Sequence, residues 1–213
     1  MNEKILLNKY ITGPLEVNTY LIADIHDAKK PAAIIDPAGK NRRLEADIEK
    51  LGVNPRYIIN THSHIDHVAF NNYYKKKYGC DIFIHKDDAD HMNEPHDDFL
   101  FKLIGGELSA PPDKTLNDGE SFLIGSIELK IIHTPGHSPG GICLQGDGFL
   151  ISGDTLFEGS IGRTDLPGGN YNDLITSIRE KILVLPDDTL VFPGHGEQTT
   201  VGEEKELNPF LQI

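Results

Sequence analysis

The most informative segment of the sequence is Thr61-His62-Ser63-His64-Ile65-Asp66-His67. It follows an apolar run at residues 56–60 that predicts a buried strand. Three further segments place a histidine or an aspartate after a predicted strand: His133-Thr134-Pro135-Gly136-His137, Ser152-Gly153-Asp154 and Pro193-Gly194-His195-Gly196. Side chains that follow strands at one edge of a sheet can converge on one crevice, and the adjacent glycine and proline residues permit the turns that this requires.

Seven side chains of these segments form a predicted site for two divalent metal ions. In an extended segment the two histidines of the H-x-H pair point to the same side, while the Asp-His pair that follows swings toward a second ion. The predicted assignment is His62, His64 and His137 for the first ion, Asp66, His67 and His195 for the second, and Asp154 as the bridge between them. Such ions would lie about 3.5–4 Å apart with a water between them.

The residue types explain the chemistry that we expect. Imidazole and carboxylate groups bind zinc, iron or manganese and leave a coordination position open to solvent. Zinc is the first expectation, with iron or manganese as alternatives. A water bound there has a pKa near about 7 and is a nucleophile at neutral pH. A single histidine is more often structural than a ligand, but seven candidates in four strand-end segments are typical of a metal site.

The rest of the chain predicts a layered α/β fold, in which short apolar strands alternate with amphipathic helices. Asn41 is expected to cap a helix that Gly52 ends, and residues 66–78 are expected to form one helix. Residues 122–132 predict a β-hairpin. In residues 86–117 the periodicity weakens, which predicts short helices and loops that either cover the site or form a surface insertion without a role.

Length and composition limit the classes of function. With 213 residues, the chain is expected to form a single domain, 1–213. No apolar run approaches a membrane span, and the N-terminus lacks a secretory pattern, so a cytoplasmic protein is expected. A formal charge of −13 argues against nucleic acid and leaves a small-molecule substrate as the expected partner. The two cysteines, Cys80 and Cys143, are expected to be buried rather than functional, and the oligomeric state stays open.

The H-x-H-x-D-H segment and the three later segments resemble, in this order, those of the metallo-β-lactamase-fold hydrolases. The similarity covers essentially the whole chain, and residues 159–165, Gly-Ser-Ile-Gly-Arg-Thr-Asp, resemble the glyoxalase II-like (hydroxyacylglutathione hydrolase-like) branch. The resemblance implies a four-layer αββα sandwich with the metals at one edge of the sheets. It also implies that S-lactoylglutathione or a related acyl-thiol is the substrate class.

Two departures from the family pattern affect this interpretation. Relatives usually carry glycine soon after the Asp-His pair, whereas this chain has Val68-Ala69-Phe70-Asn71, so Phe70 is expected to line either the site or the core. The sequence also ends 18 residues after His195, so the helical region with which glyoxalase II holds glutathione is expected to be missing or replaced. True β-lactamases and processing nucleases of the superfamily fit the residues less well.

Two enzymatic hypotheses remain. In the first, a metal-bound hydroxide attacks a thioester, Asp66 orients this hydroxide, and Arg163 binds a substrate carboxylate; for Arg163, a salt bridge to Asp165 is the open alternative. In the second, the protein is a mononuclear iron persulfide dioxygenase, with iron held by His62, His137 and Asp154. A metal-binding module without catalysis is less favoured, because structural metal sites are closed and this one is expected to be open.

Overall fold

Two six-stranded sheets form the centre of the protein in a computed structural model, which describes residues 5–93 and 98–212. The first sheet has its strands in sequence order: β1 (Ile5–Thr12), β2 (Val17–Asp24), β3 (Pro31–Ile35), β4 (Asn54–Ile59), β5 (Asp81–His85) and β6 (Lys114–Leu116). The second sheet has the order β14-β13-β10-β9-β8-β7, with β7 (Ser121–Ile124), β8 (Ile127–His133), β9 (Ile142–Gly146), β10 (Phe149–Gly153), β13 (Leu190–Pro193) and β14 (Thr199–Thr200). A small hairpin pairs β11 (Leu156–Phe157) with β12 (Ser160–Ile161).

Helices cover the outer face of each sheet. The first sheet packs against α1 (Arg42–Leu51), α2 (Ile65–Val68), α3 (Asn71–Tyr78) and α4 (Asp98–Ile104), and a 3₁₀ helix (Lys86–His91) follows β5. The second sheet packs against α5 (Tyr171–Ser177), a π-helical turn (Ile178–Ile182) and α6 (Val201–Leu207). The predicted αββα sandwich is therefore confirmed.

The alternation of side chains along each central strand explains the layers. In β2, Leu21 and Ala23 belong to the apolar cluster under the first helices, whereas Tyr20 and Ile22 belong to the cluster between the sheets. Successive side chains of a strand point to opposite faces of the sheet, so an uninterrupted apolar run buries both faces. Such strands cannot face water on either side. Each sheet therefore packs against the other sheet on its inner face and against helices on its outer face.

Strand direction brings the predicted ligand segments to one edge. Strands β3 to β6 run parallel to one another, so β3, β4 and β5 end at the same edge of the first sheet. In the second sheet β8, β10 and β13 also share one direction. The Ile142 N–H donates to the Thr61 carbonyl at 2.9 Å, and the Asn18 N–H donates to the Gly194 carbonyl at 2.7 Å. These bonds join the two sheets where the ligand-bearing loops begin.

Local sequence signals correctly predicted the first long helix. The Asn41 side chain accepts hydrogen bonds from the backbone N–H groups of Arg43 and Leu44, as an N-cap does. Gly52 ends the helix at φ 64°, in the left-handed region that glycine adopts without a Cβ clash. The predicted strands at residues 56–60 and 81–85 and the hairpin at 122–132 are also confirmed. Cys80 and Cys143 are both buried and free, as expected.

The prediction of one helix over residues 66–78 was wrong, because the chain forms α2 and α3 with a break between them. Phe70 lies at φ −114° and ψ 14°, outside the helical region. Its N–H donates to the Pro37 carbonyl, and the Ala69 carbonyl accepts from the Glu107 N–H at 3.0 Å. These tertiary contacts use backbone groups at the break. The Phe70 ring packs against the core under the first helices, which settles its alternative placements in favour of the core.

Residues 86–93 and 98–117 contain the short helices expected there and one strand, β6, that was not predicted. Three residues of strand are too few to show an alternating pattern, so the pairing of β6 with β5 could not be read from the sequence. Ile104 and the half-buried Leu100 and Phe101 pack against the first core. Within the described part of the chain, no helix has the length and apolar character required to cross a membrane.

The core between the sheets predicts one large mutational effect. Phe149 is fully buried between the sheets, and Phe149→Ala removes most of its side chain from that core. We expect the free energy of unfolding to fall by about 3–5 kcal/mol. Urea denaturation followed by circular dichroism measures this change. Leu123→Ala is the matched control, because Leu123 lies on the same sheet but is 59% exposed, and its effect is expected to stay within about 0.5 kcal/mol.

Candidate metal centre

Three imidazoles meet at the edge where β4 and β8 end. His62 and His64 follow β4, and His137 follows β8. The ring centroids of His62 and His64 lie 4.7 Å apart, and those of His64 and His137 lie 4.5 Å apart. One nitrogen from each ring lies within 4.8 Å of the corresponding nitrogens of the other two. The structure thus brings together the three side chains predicted for the first ion.

A second group lies beside the first and combines two imidazoles with a carboxylate. The Asp66 Oδ2 atom lies 3.5 Å from His195 Nε2 and 3.7 Å from His67 Nε2. The two Nε2 atoms lie 3.4 Å apart. His67 is buried, whereas the side chain of His195 is 30% exposed. The three side chains predicted for the second ion are therefore also together, and His195 marks the side of the group that faces solvent.

Asp154 lies between the two groups. It follows β10, and its Oδ1 atom lies 3.5 Å from His67 Nε2. Its Oδ2 atom lies 3.5 Å from His137 Nε2 and 3.7 Å from His195 Nε2. One carboxylate therefore reaches both groups, which is the placement required of a bridging ligand.

Hydrogen bonds on the outer nitrogens fix which nitrogen each imidazole presents to the site. His137 Nδ1 donates to the Arg163 carbonyl at 2.8 Å, and His195 Nδ1 donates to the Leu15 carbonyl at 3.0 Å. A carbonyl oxygen can only accept, so Nδ1 carries a proton in both rings and Nε2 is the nitrogen that faces the other predicted ligands. Backbone carbonyls commonly orient metal-binding histidines in this way.

The sequence did not assign a role to Asp36, although this residue supports both groups. Its Oδ2 atom accepts from His67 Nδ1 at 3.0 Å and from the Thr61 hydroxyl at 2.6 Å, and its Oδ1 atom accepts from the Thr61 N–H at 2.7 Å. Since the Thr61 hydroxyl proton points to Asp36, the hydroxyl oxygen accepts from His62 Nδ1 at 3.0 Å. Asp36 adopts φ 49°, a costly conformation for a residue other than glycine. Its position directly after β3 is the signal that could have identified it.

Burial and charge shift the ionisation of the two groups in opposite directions. Burial lowers the pKa of His62 well below its usual value, and the neighbouring imidazoles act in the same direction. Burial would also lower the pKa of His67, but the carboxylates of Asp154, Asp66 and Asp36 outweigh it and raise this pKa to about 10. The carboxylate-rich group therefore favours a cation, and a metal ion that binds there must displace the proton of His67.

The donor set fits divalent metal ions. Among the residues that the structure describes, three buried polar atoms of this site have no hydrogen-bond partner: His62 Nε2, His137 Nε2 and Asp154 Oδ1. Buried polar atoms left unpaired are costly, and coordination of a cation satisfies them. Gly194 is also consistent with this close arrangement, because a Cβ atom there would collide with Asp154 Oδ1 and with the ring of His67.

The side chain of Arg163 forms an ion pair at the surface. Its guanidinium donates two hydrogen bonds to the Asp165 carboxylate, both at 2.8 Å. The side chain is 60% exposed, and only the backbone carbonyl of Arg163 contacts a predicted ligand, His137. The salt bridge that was the open alternative is present, and binding of substrate by Arg163 stays a prediction.

A third cluster contains His85, Asp87 and His133, which were not predicted as ligands. The rings of His85 and His133 stack, with centroids 4.0 Å apart and planes inclined by 15°. His133 Nε2 donates to the Pro139 carbonyl at 2.8 Å, so that nitrogen is not free to bind a metal. We interpret this cluster as structural.

Comparisons with known proteins agree with this architecture. A profile of the metallo-beta-lactamase superfamily matches residues 12–195. The chain is 40% identical over 204 residues to a Haemophilus influenzae protein named hydroxyacylglutathione hydrolase GloC, and the match covers 88% of this chain and 90% of the relative.

Solved structures with the same fold are also similar in sequence. The structure of BLEG-1, described as a B3 metallo-beta-lactamase, superposes with a TM-score of 0.88 at 34% identity, covering 98% of this chain and all of the other. The structure of TTHA1623 in a di-iron-bound form gives a TM-score of 0.83 at 33% identity, covering 96% of this chain and all of the other.

The position of Asp154 predicts that one substitution affects both metal groups. Asp154→Asn removes the negative charge that lies within 3.7 Å of three imidazole nitrogens, so we expect both ions to bind more weakly and turnover to be nearly abolished. Metal content after dialysis, measured by plasma emission spectroscopy, tests this expectation. His133→Ala is the control and should keep its metal. Two retained ions and full activity in Asp154→Asn would show that the bridging assignment is wrong.

Proposed function

The chain belongs to the metallo-beta-lactamase superfamily, and from this premise we propose that it is a dinuclear metal-dependent hydrolase of thioesters formed with a small thiol. S-lactoylglutathione is the first candidate substrate. Zinc remains the first expectation for the metal, with iron or manganese as alternatives. The description of TTHA1623 as di-iron-bound supports the view that a related site accepts iron.

One observation carries the proposal: two groups of ligand atoms are joined by a carboxylate that lies within reach of both. The first group offers three imidazoles, and the second offers two imidazoles and the Asp66 carboxylate. A mononuclear iron enzyme would need only part of this set and would leave Asp66, His67 and His195 without a metal to bind. When bound, a pair of such ions lowers the pKa of water and stabilises the negative charge that develops on a carbonyl oxygen under attack.

Asp66 is proposed to orient the nucleophilic water. Burial favours its neutral form, but His67 and His195 outweigh burial and lower the pKa of Asp66, so it is ionised at neutral pH. An ionised carboxylate only accepts hydrogen bonds, so it can hold an O–H group with the oxygen lone pair directed at the substrate. Asp66 and His195 are both partly exposed, and we propose that substrate enters from their side.

The thioester class is supported by the relative named hydroxyacylglutathione hydrolase. That relative is matched over 90% of its own length, so the similarity extends well beyond the predicted ligands. Thiolates are good leaving groups, and a site that stabilises the oxyanion needs no strong acid to protonate the sulfur. Arg163 is the proposed contact for a substrate carboxylate.

A substrate panel tests the proposed reaction. The metal-loaded protein is assayed with S-lactoylglutathione and other acyl-thiols, with glutathione persulfide in an oxygen electrode, and with a β-lactam because of the similarity to BLEG-1. We expect thioester hydrolysis with two metal ions per chain. Oxygen uptake with one iron per chain would favour the dioxygenase instead, and β-lactam hydrolysis without thioesterase activity would refute the proposed substrate class. Asp154→Asn protein is the inactive control.

The ion pair of Arg163 with Asp165 allows a sharper test of substrate binding. An anionic substrate that binds the Nε–Nη2 edge of the guanidinium must compete with Asp165, because both of these nitrogens already donate to that carboxylate. Arg163→Ala is therefore expected to raise KM several-fold for an anionic thioester at unchanged kcat, and Asp165→Asn is expected to lower it. A neutral thioester should respond to neither substitution. Unchanged KM values for the anionic substrate in both variants would remove Arg163 from the binding site.

A further inference from the structure

We propose that Asp88 is a positioning residue that holds together the two loops which carry His62, His64 and His137, and so sets the affinity of this group for its metal ion. The inference rests on the proposed metal centre. Asp88 lies in the 3₁₀ helix that follows β5, 26 and 24 positions after His62 and His64 and 49 positions before His137. It was not among the residues selected from the sequence.

A single buried carboxylate makes three bonds to these loops. Asp88 has no exposed surface. Its Oδ2 atom accepts from the Ser63 N–H at 2.8 Å and from the Ser138 hydroxyl at 2.8 Å. Its Oδ1 atom accepts from the Gly140 N–H at 2.5 Å. All donors come from the two ligand-bearing loops, so the carboxylate connects the loop after β4 to the loop after β8.

The position of each donor in the sequence explains why this connection bears on the metal. Ser63 is the residue between His62 and His64, and Ser138 is the residue directly after His137. Each histidine of the first group is therefore adjacent in sequence to a serine that donates a hydrogen bond to Asp88. Hydrogen bonds to an ionised carboxylate are short and strong, and burial shields these bonds from competing water. The spacing between the two loops is fixed before a metal arrives, which reduces the ordering that binding requires.

Gly140 lies so close to Asp88 that there is no room for a side chain at position 140. A Cβ atom placed on Gly140 would lie 2.5 Å from the Asp88 nitrogen and 2.7 Å from its Cβ atom, so the backbone of Gly140 lies directly against Asp88. The 3₁₀ helix begins directly after His85, whose Nδ1 accepts from the Asp87 N–H.

Asp88→Asn is the variant that separates positioning from bulk. The amide keeps the size of the carboxylate, but its NH₂ group cannot accept, so at least one of the three donors loses its partner. We expect the affinity for Co²⁺ in the three-imidazole group to fall about tenfold or more, the effect typical of residues that orient metal ligands. Stepwise Co²⁺ titration of the metal-free protein, followed by visible absorption with a competing chelator, measures both dissociation constants. The dissociation constant of the group that contains Asp66, His67 and His195 should change less.

Asp24→Asn is a matched control for lost stability. Asp24 is also a buried carboxylate, and it accepts from the Ser126 N–H and hydroxyl, both at 2.7 Å, at a turn that contains none of the ligands. The Asp24→Asn substitution should lower the thermal stability about as much as Asp88→Asn does, yet leave both Co²⁺ affinities unchanged. Equal weakening of Co²⁺ binding in the two variants would show that general stability is responsible and would overturn the proposal.

Ser138→Ala provides an independent reading that does not depend on the folding of Asp88→Asn. It removes one of the three donors and leaves the carboxylate in place, so we expect a smaller loss of Co²⁺ affinity in the same direction. The positioning role would be refuted if Ser138→Ala kept its Co²⁺ affinity and the Co²⁺ affinity of Asp88→Asn was also unchanged or could not be measured. The proposed hydrolase function would not be affected by that result. Absence of Co²⁺ binding by the unsubstituted protein would refute both.

Discussion

The ligand-bearing loops are arranged around unpaired polar atoms that are buried at one edge of the sandwich. His62 Nε2, His137 Nε2 and Asp154 Oδ1 are withdrawn from water and have no hydrogen-bond partner within the described part of the chain. Such atoms are costly unless a cation coordinates them. Other hydrogen bonds orient the imidazole rings around these atoms. The outer nitrogen of each ring has a partner in His62, His67, His137 and His195.

Hydrogen bonds join the two sheets at this edge, and they also hold the predicted ligands in place. His195 follows a strand of the second sheet, yet its ring is oriented by the Leu15 carbonyl in the β1–β2 turn of the first sheet. Asn18 and Tyr20 of β2 also donate to the Pro193 carbonyl, at 3.0 and 2.7 Å. The geometry of the ligands is therefore a property of the whole sandwich rather than of any one loop. This explains how a metal site can be assembled from segments that lie far apart in the chain.

Charge is distributed unevenly between the two groups of ligands. Burial lowers the pKa of His62 in the first group, whereas the carboxylates gathered in the second group raise the pKa of His67. The carboxylate side is also the side that faces solvent. A substrate that carries an electrophilic carbonyl would thus meet the ionised Asp66 and the exposed ring of His195 first, which is consistent with the proposed hydrolysis of small acyl-thiols.

Local signals in the sequence predicted the layered architecture, the caps of the first long helix and the seven candidate ligands: an apolar run, an Asn or Gly at a helix end, a histidine or aspartate after a strand. The three-dimensional structure was needed to find the break between α2 and α3, the placement of Phe70 in the core, the pairing of β6, and the contacts of Asp36 and Asp88. These features depend on partners distant in sequence, such as Pro37 for Phe70 and Ser138 for Asp88. A hydrogen bond between residues 50 positions apart produces no periodic pattern in the sequence, so the two partners can be identified only in the folded structure.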